Sequence, residues 1–183
     1  MTTARRRSLP LAALLAAAVL PGLALAQAHH HAAHEHGRAS VDIAIERTQL
    51  TLSLDTPLDN LLGFERAPRN ATERQAADAA VARLRAADGW VRIDPKAGCT
   101  LAEVMLESAA LGLGGGTHRE GEHAEMEGSV TYRCTDATQA TYIELGLADA
   151  FKRVRTVDVQ VAGPNGQLKR TLGGKTRRIS LSR

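Results

Sequence analysis

The chain has 183 residues, of which 23 are Lys or Arg, 20 are Asp or Glu and 3% are aromatic. Three basic residues near the start, Arg5, Arg6 and Arg7, account for the whole formal net charge of +3. The chain that follows them carries equal numbers of basic and acidic residues. Its charge therefore gives no support for nucleic-acid binding, which requires a clustered basic face. The length is sufficient for one domain with a core of Leu, Val, Ile and Ala.

The N-terminal segment is typical of a secretory signal peptide. The three arginines precede the apolar run LPLAALLAAAVLPGLALA, which ends in Ala-Leu-Ala at residues 24–26. A basic start, an apolar centre and a small-residue end together direct secretion and cleavage. A permanent membrane anchor is the alternative, but Pro10, Pro21 and Gly22 interrupt a run that is otherwise short for a spanning helix. We therefore predict a periplasmic mature chain that begins at Gln27 and has no stable membrane insertion.

Five of the seven histidines lie in the sequence AQAHHHAAHEHGRA at residues 26–39. Imidazole is the commonest metal-binding side chain and suits zinc, copper and nickel. If the first strand continues backwards through Gly37, His34 and His36 point to the same side of an extended chain, about 7 Å apart at Cα, with Glu35 facing away. The remaining three lie on a predicted mobile tail and can add ligands without preset geometry: His29, His30 and His31.

The next segments predict a β-hairpin followed by a helix. Apolar and polar residues alternate on both sides of residues 46–48, as in two paired strands. The inward faces of these strands are predicted to be Ala39, Val41, Ile43 and Ile45 in the first, and Leu50, Leu52 and Leu54 in the second. The sequence DNLLGFERAP then predicts a short apolar turn. A helix is predicted from Asn70, which can cap it together with Glu73, to Gly89, with an apolar stripe through Ala77, Val81 or Ala80, and Leu84.

The second half of the chain predicts further strands around one loop. The sequence CTLAEVMLESAAL predicts a strand, whereas residues 112–128 lack a periodic apolar face and form a predicted loop that contains His118 and His123. Strands are also predicted for SVTYRC, for a hairpin around residues 163–166 and for RRISLS, while ATQATYIELGLADAF is compatible with either a strand or a helix.

Many antiparallel strands with one clear helix predict an α+β fold. We expect mainly antiparallel sheets in a two-layer sandwich, with the helix packed on a sheet face. The expected organisation is a cleaved signal peptide at 1–26, a His-rich mobile N-terminus at 27–37, and a single α+β domain at 38–183 with its His/Glu loop at 112–128.

The chain contains two cysteines, Cys99 and Cys134. An even number of cysteines in an oxidising compartment favours a structural disulfide. A thiolate metal site is the alternative, but the two residues are isolated and lack the C-x-x-C spacing of such sites. If they are paired, any metal must be bound by His and carboxylate groups.

All seven histidines lie in two segments that are rich in His and Glu and lack an apolar face. This distribution favours metal binding, although two histidines in an acidic loop can also simply be solvated. The predicted metal ligands are His29, His30, His31, His34, His36, His118, His123, Glu125 and Glu127. Because each His binds a metal as neutral imidazole, occupancy is expected to fall as the pH drops through about 6.5.

Other chemistries find little support in the sequence. The three methionines supply too little soft sulfur for a dedicated Cu(I) carrier. There is no H-E-x-x-H sequence, no nucleophile elbow and no phosphate-binding loop, so we expect no enzymatic activity. Isolated carboxylates such as Glu65 and Asp59 are interpreted as capping or surface groups.

The sequence HEHGRASVDIAIERTQLTLSLDTPLDNLLGFERAP resembles the opening of the ZrgA family of periplasmic zinc-uptake proteins. The similarity continues through the alanine-rich helix, AGCTL, the His/acidic loop before YRC, and VRTVDVQVAGPNGQ, and so covers essentially the whole mature chain. Its most specific parts are HEHG and NLLGFERAP. The resemblance implies a protein that binds Zn²⁺ and assists uptake by a zinc ABC transporter, whose periplasmic binding protein is the expected partner. It supports metal-binding roles for His34, His36, His118 and His123.

Two departures from the family pattern affect what the resemblance implies. Family members usually have His after the Phe-Glu pair, whereas this chain has Arg66, which cannot bind a metal. Their central loop is also richer in His and Asp than THREGEHAEMEG, which implies a smaller binding capacity. Two other functions remain open at this stage. One is a periplasmic module that sequesters copper or nickel in metal resistance, and the other is a purely structural periplasmic domain.

Overall fold

The computed structural model describes residues 35–117 and 124–181. Within these residues the chain forms nine strands and three α-helices. The strands are Arg38–Ile45 (β1), Gln49–Pro57 (β2), Val91–Ile93 (β3), Cys99–Glu107 (β4), Glu125–Cys134 (β5), Tyr142–Leu145 (β6), Thr156–Gly163 (β7), Gly166–Gly173 (β8) and Arg178–Ser180 (β9). The helices are Leu58–Leu62 (α1), Ala71–Arg85 (α2) and Leu147–Ala150 (α3).

Two sheets define the architecture. The larger sheet has six strands in the order β4-β5-β2-β1-β7-β8, and the smaller has the order β3-β6-β9. Neighbouring strands are antiparallel except β1 and β7, which are parallel. The predicted hairpins β1–β2 and β7–β8 are both confirmed. The α+β prediction is therefore confirmed.

Alternation along the strands of the large sheet buries one of its faces. The two predicted faces of the first hairpin are buried, except that Ile45 is half-buried. The core cluster also contains Leu84 of α2 and Ile143 of the small sheet. The helix and the small sheet thus form a second layer over the large sheet, as predicted.

Helix α2 begins where the sequence predicts and ends earlier. The Asn70 side chain accepts a hydrogen bond from the Glu73 backbone N–H at 2.9 Å, which confirms the predicted N-cap. The buried stripe is Ala77, Ala80 and Leu84. The helix stops at Arg85, not at Gly89. The indole N–H of Trp90 donates to the Leu84 carbonyl at 3.1 Å, and so occupies a carbonyl that a longer helix would use for its own backbone bonding.

Three other segments differ from their predicted forms. The predicted apolar turn begins with the short helix α1. Strand β5 begins at Glu125, so the last four residues of the predicted 112–128 loop pair with β2 and β4 instead. The segment that was compatible with either structure contains a 3₁₀ turn at Ala137–Gln139, then β6, then α3. No helix in residues 35–117 and 124–181 is long and apolar enough to cross a membrane.

A disulfide joins Cys99 and Cys134, as predicted. The two residues are directly opposite each other in the β4–β5 pairing. Since β4 and β5 are also connected along the chain at their other ends, the bond closes a covalent loop around both strands. Thiolate ligation of a metal is thereby excluded for the oxidised protein.

Candidate metal centre

The chain enters β1 through a turn at residues 35–38. The Arg38 N–H donates to the Glu35 carbonyl at 3.0 Å, and Gly37 has a φ of +88°. Glycine is the residue that adopts this positive φ readily. The prediction that β1 continues backwards through Gly37 is therefore wrong, whereas the same-side geometry of His34 and His36 stays a prediction. His34 itself lies outside the described residues.

The turn places the His36 imidazole against the carboxylate of Glu65. The Nε2 atom of His36 lies 2.9 Å from Oε1 of Glu65. The His36 side chain is 60% exposed and that of Glu65 only 13%. Glu65 reaches this position because Gly63, with a φ of +84°, ends α1 and turns the chain back. The sequence interpretation of Glu65 as a capping or surface group missed this contact.

The His36–Glu65 pair has the geometry of a metal-ligand imidazole with its supporting carboxylate. A metal-binding His generally donates its second ring N–H to a carboxylate or carbonyl oxygen, which orients the ring and strengthens the ligand. Donation from Nε2 to Glu65 leaves Nδ1 as the metal-binding atom. A Zn²⁺ ion bound directly by both Nε2 and Oε1 would require a separation of about 3.3 Å, given bonds of about 2.0 Å in a tetrahedron. The observed distance fits the hydrogen bond.

A second group of potential ligands lies where β2 ends and β5 begins. One carboxylate oxygen from each of Asp55, Glu125 and Glu127 lies within 4.8 Å of the others. Asp55 and Glu127 are directly opposite in the β2–β5 pairing, which places both on the same face of the sheet. Asp55 was not among the predicted ligands, whereas Glu125 and Glu127 were. Carboxylate oxygens bind Mg²⁺, Ca²⁺ and Mn²⁺ well, and Zn²⁺ also accepts them.

Both groups lie at the same end of the large sheet. Strands β1 and β5 flank β2 and run in the same direction, so both begin at this end. Because β2 lies between them, β1 and β5 are two strand spacings apart, which is about 10 Å. Helix α1 lies between the two groups: the Leu58 N–H donates to the Ala124 carbonyl at 2.8 Å, and the Asn60 side chain donates to the Arg38 carbonyl at 2.7 Å.

Six predicted ligands lie outside the described residues, and their metal binding stays a prediction. They are His29, His30, His31, His34, His118 and His123. The residues that precede Glu125 in the chain enter the sheet at the same end as those that precede Arg38. This topology is the structural basis for expecting the two histidine segments to act together.

Arg66, which stands where family members usually have His, forms part of a packed ion pair. Its guanidinium donates to both carboxylate oxygens of Glu73 at 2.7 and 3.0 Å and lies 4.7 Å from the centre of the Phe64 ring. The Arg69 backbone N–H also donates to Glu73, at 2.7 Å. Arg66 therefore anchors the chain after Glu65 to the first turn of α2.

The pKa of Glu73 is lowered to about 2, first by its hydrogen bonds with Arg66 and then by that with the Arg69 backbone. A carboxylate whose pKa is lowered in the folded state stabilises that state at pH values above its ordinary pKa of about 4.3. This contribution to stability is lost as the pH falls towards 2. We expect the free energy of unfolding to fall more steeply over this pH range in the wild type than in Glu73→Gln. Urea unfolding monitored by Trp90 fluorescence at several pH values measures this. Asp78→Asn, at an exposed carboxylate of the same helix, is the control and should follow the wild type; equal slopes in all three proteins would contradict the prediction.

An α+β domain with imidazole and carboxylate groups gathered at one end of its main sheet is a candidate metal-binding protein. The family model described as ZrgA family zinc uptake protein matches residues 33–181. The chain thus belongs to the ZrgA family of zinc uptake proteins, in agreement with the resemblance of HEHG and NLLGFERAP. A comparison with curated proteins found no match.

Proposed function

We propose that this protein captures Zn²⁺ in the periplasm, buffers it there and assists its uptake by a zinc ABC transporter. The observation that carries the proposal is the hydrogen-bonded His36–Glu65 pair in a chain that belongs to a zinc uptake family. The disulfide and the predicted signal peptide support a periplasmic location, because structural disulfides persist in oxidising compartments.

In this proposal His36 is the ordered ligand of a zinc site. Zn²⁺ sites usually have four ligands, so other groups must complete the coordination. His34, His118 and His123 are the proposed additional ligands, because their segments lead into β1 and β5 at the same sheet end. The three histidines of the tail, residues 29–31, serve as a collector that raises the local concentration of captured zinc.

The cluster of three carboxylates from Asp55, Glu125 and Glu127 is the proposed second site. Opposed carboxylates on neighbouring strands repel each other, and a divalent cation relieves this repulsion. Since His118 and His123 precede Glu125 closely in the chain, they are proposed to add imidazole ligands here or at the His36 site. Zinc passing between two nearby sites can be buffered over a wider concentration range than one site allows.

Exposure of the first site suits transfer to another protein. The His36 side chain is mostly exposed, so an incoming ligand can reach a bound ion without unfolding the domain. The proposed receiver is the periplasmic binding protein of a zinc ABC transporter.

Growth of a strain that lacks the gene tests the proposed role. We expect a growth defect when a zinc chelator limits the metal, cured by added zinc and by the wild-type gene. A copy that encodes His36→Ala should restore growth less well, and one that encodes Asp78→Asn should restore it fully. Sensitivity to excess copper or nickel with normal growth under chelation would instead identify a resistance module.

A further inference from the structure

We propose that Asn60 is a positioning residue for the zinc ligand His36, and that it acts through the backbone on which His36 is held. The inference rests on the proposed function of His36 as a zinc ligand. Asn60 lies in helix α1, 24 positions after His36 in the sequence, and its hydrogen-bond partners are backbone groups and a hydroxyl, not a metal-binding atom.

Asn60 makes three hydrogen bonds, two of them with the turn that carries His36. Its Oδ1 accepts from the Gly37 N–H at 2.6 Å, and its Nδ2 donates to the Arg38 carbonyl at 2.7 Å. The same Nδ2 donates to the Thr56 hydroxyl at 2.9 Å. The side chain is 1% exposed, so water does not compete for these bonds.

The other side of the same turn is also fixed. The Gly37 carbonyl accepts from the N–H groups of Arg155 and Thr156 at 2.7 and 3.0 Å. The His36–Gly37 backbone is therefore held between Asn60 and the start of β7. An added Cβ at Gly37 would lie 3.3 Å from the Arg155 side chain, and the φ of +88° at Gly37 is one that residues other than glycine rarely adopt.

Helix α1 also sets the position of Glu65, the partner of the imidazole. Asp59, the neighbour of Asn60, binds the Arg153 guanidinium through both carboxylate oxygens at 2.7 Å. The Asp59 carbonyl accepts from the Gly63 N–H at 2.8 Å, which closes the turn that leads to Glu65. One short helix thus holds both halves of the His36–Glu65 pair. Asn60 connects this helix to the backbone turn that carries His36.

Zinc titration followed by the imidazole NMR signals of His36 tests this role. The signals are assigned in the full mature chain by their absence in His36→Ala. We expect Asn60→Ala to raise the zinc concentration needed for half-saturation at His36 by about tenfold, the lower end of the range for groups that orient a metal ligand. Asn60→Asp, which has the same shape but cannot donate to the Arg38 carbonyl, should also weaken binding. Its added negative charge would on its own strengthen binding, so a loss isolates the effect of position.

A matched control separates positioning from general destabilisation. Asp94 is likewise buried and accepts three hydrogen bonds, from Lys96 and Thr141, at a distant part of the fold. Asp94→Ala should lower stability and leave zinc binding at His36 unchanged. Adding Asn60→Asp to His36→Ala should cause no further loss of zinc affinity, measured by calorimetric titration because variants without His36 lack its NMR signals.

The outcomes distinguish the inference from the function on which it rests. If His36→Ala binds zinc as tightly as the wild type, the assignment of His36 as a ligand fails and the inference fails with it. If His36→Ala loses affinity but neither Asn60→Ala nor Asn60→Asp does, only the positioning role is overturned. Equal losses in Asp94→Ala and Asn60→Asp would also overturn it, because the effect would then be a general loss of stability.

Discussion

Zinc affinity is expected to fall on the order of 100-fold when His36 is replaced by Ala, since loss of a ligand should cost at least as much as loss of a group that orients one. Within the described residues, His36 is the imidazole whose backbone and ring are both held in place. Its turn is fixed by Asn60, and its ring is fixed by Glu65 at 2.9 Å. A preorganised ligand loses less conformational freedom on binding than one on an unrestrained chain.

The histidine tail should matter less. The double variant His34→Ala/His36→Ala is expected to lose more affinity than a variant in which the histidines of residues 29–31 are replaced by Ala. Calorimetric titration of both variants with Zn²⁺ at neutral pH provides the comparison. Unchanged affinity in the double variant would defeat the assignment, and equal losses in the two variants would show a collector without an ordered site.

Substitution of Glu65 tests how the imidazole is supported. Gln can still accept a hydrogen bond from the His36 ring, but it lacks the negative charge that strengthens the imidazole as a ligand. Glu65→Gln should therefore cost about tenfold in affinity, clearly less than His36→Ala. A loss equal to that of His36→Ala would show that Glu65 binds the metal directly.

The same titrations test whether the carboxylate cluster of Asp55, Glu125 and Glu127 binds zinc. The double variant Glu125→Gln/Glu127→Gln is expected to bind fewer zinc ions and to leave the tighter affinity at His36 intact. Glu103→Gln is the matched control, because Glu103 also lies on an exposed strand position of the same sheet. An unchanged number of bound ions in the double variant would exclude the carboxylate cluster as a second site.

Features that depend on neighbouring residues could be predicted from the sequence. The period-two pattern of β1 and β2 identified the buried faces, because successive side chains in a strand point to opposite sides. Asn70 was identified as a cap because Ser, Thr, Asp and Asn satisfy free N–H groups at helix starts. The Cys99–Cys134 pairing followed from the number of cysteines and the predicted oxidising compartment.

Contacts between distant segments could not be predicted in this way. Glu65 meets His36 across 29 positions of sequence, and nothing in its local pattern distinguishes it from a surface carboxylate. Asp55 joins Glu127 only because of the register between β2 and β5. The turn at Gly37 replaced the expected strand because the Asn60 side chain and the start of β7 form hydrogen bonds with the Gly37 backbone and stabilise its positive φ, which no periodicity encodes. Strand β3 of the small sheet has only three residues, too few for a pattern, and was not predicted, whereas β9 lies within the predicted strand RRISLS.

The free energy of unfolding is expected to fall by about 4 kcal/mol in Cys99→Ala/Cys134→Ala, the value that a loop of about 36 residues gives when the loss arises from entropy of the unfolded chain. The disulfide lies between opposite residues of β4 and β5, so its removal leaves the pairing of these strands to hydrogen bonds and packing alone. Urea unfolding of the oxidised wild type and of the variant provides the measurement.

Two controls make this result specific. A reducing agent should destabilise the wild type by a similar amount and leave the variant unchanged, because the variant has no disulfide to break. Zinc affinity should be the same in the oxidised wild type and the variant at neutral pH, because both cysteines are covalently joined in the native state and supply no thiolate. A stability loss below about 1 kcal/mol would mean that the unfolded chain without the disulfide already retains structure that restricts this loop, so that the loop-entropy estimate does not apply. A zinc affinity that is much higher in the reduced wild type than in the variant under the same reducing conditions, with folding intact in both, would instead restore the hypothesis that the cysteines bind the metal in a reduced form of the protein.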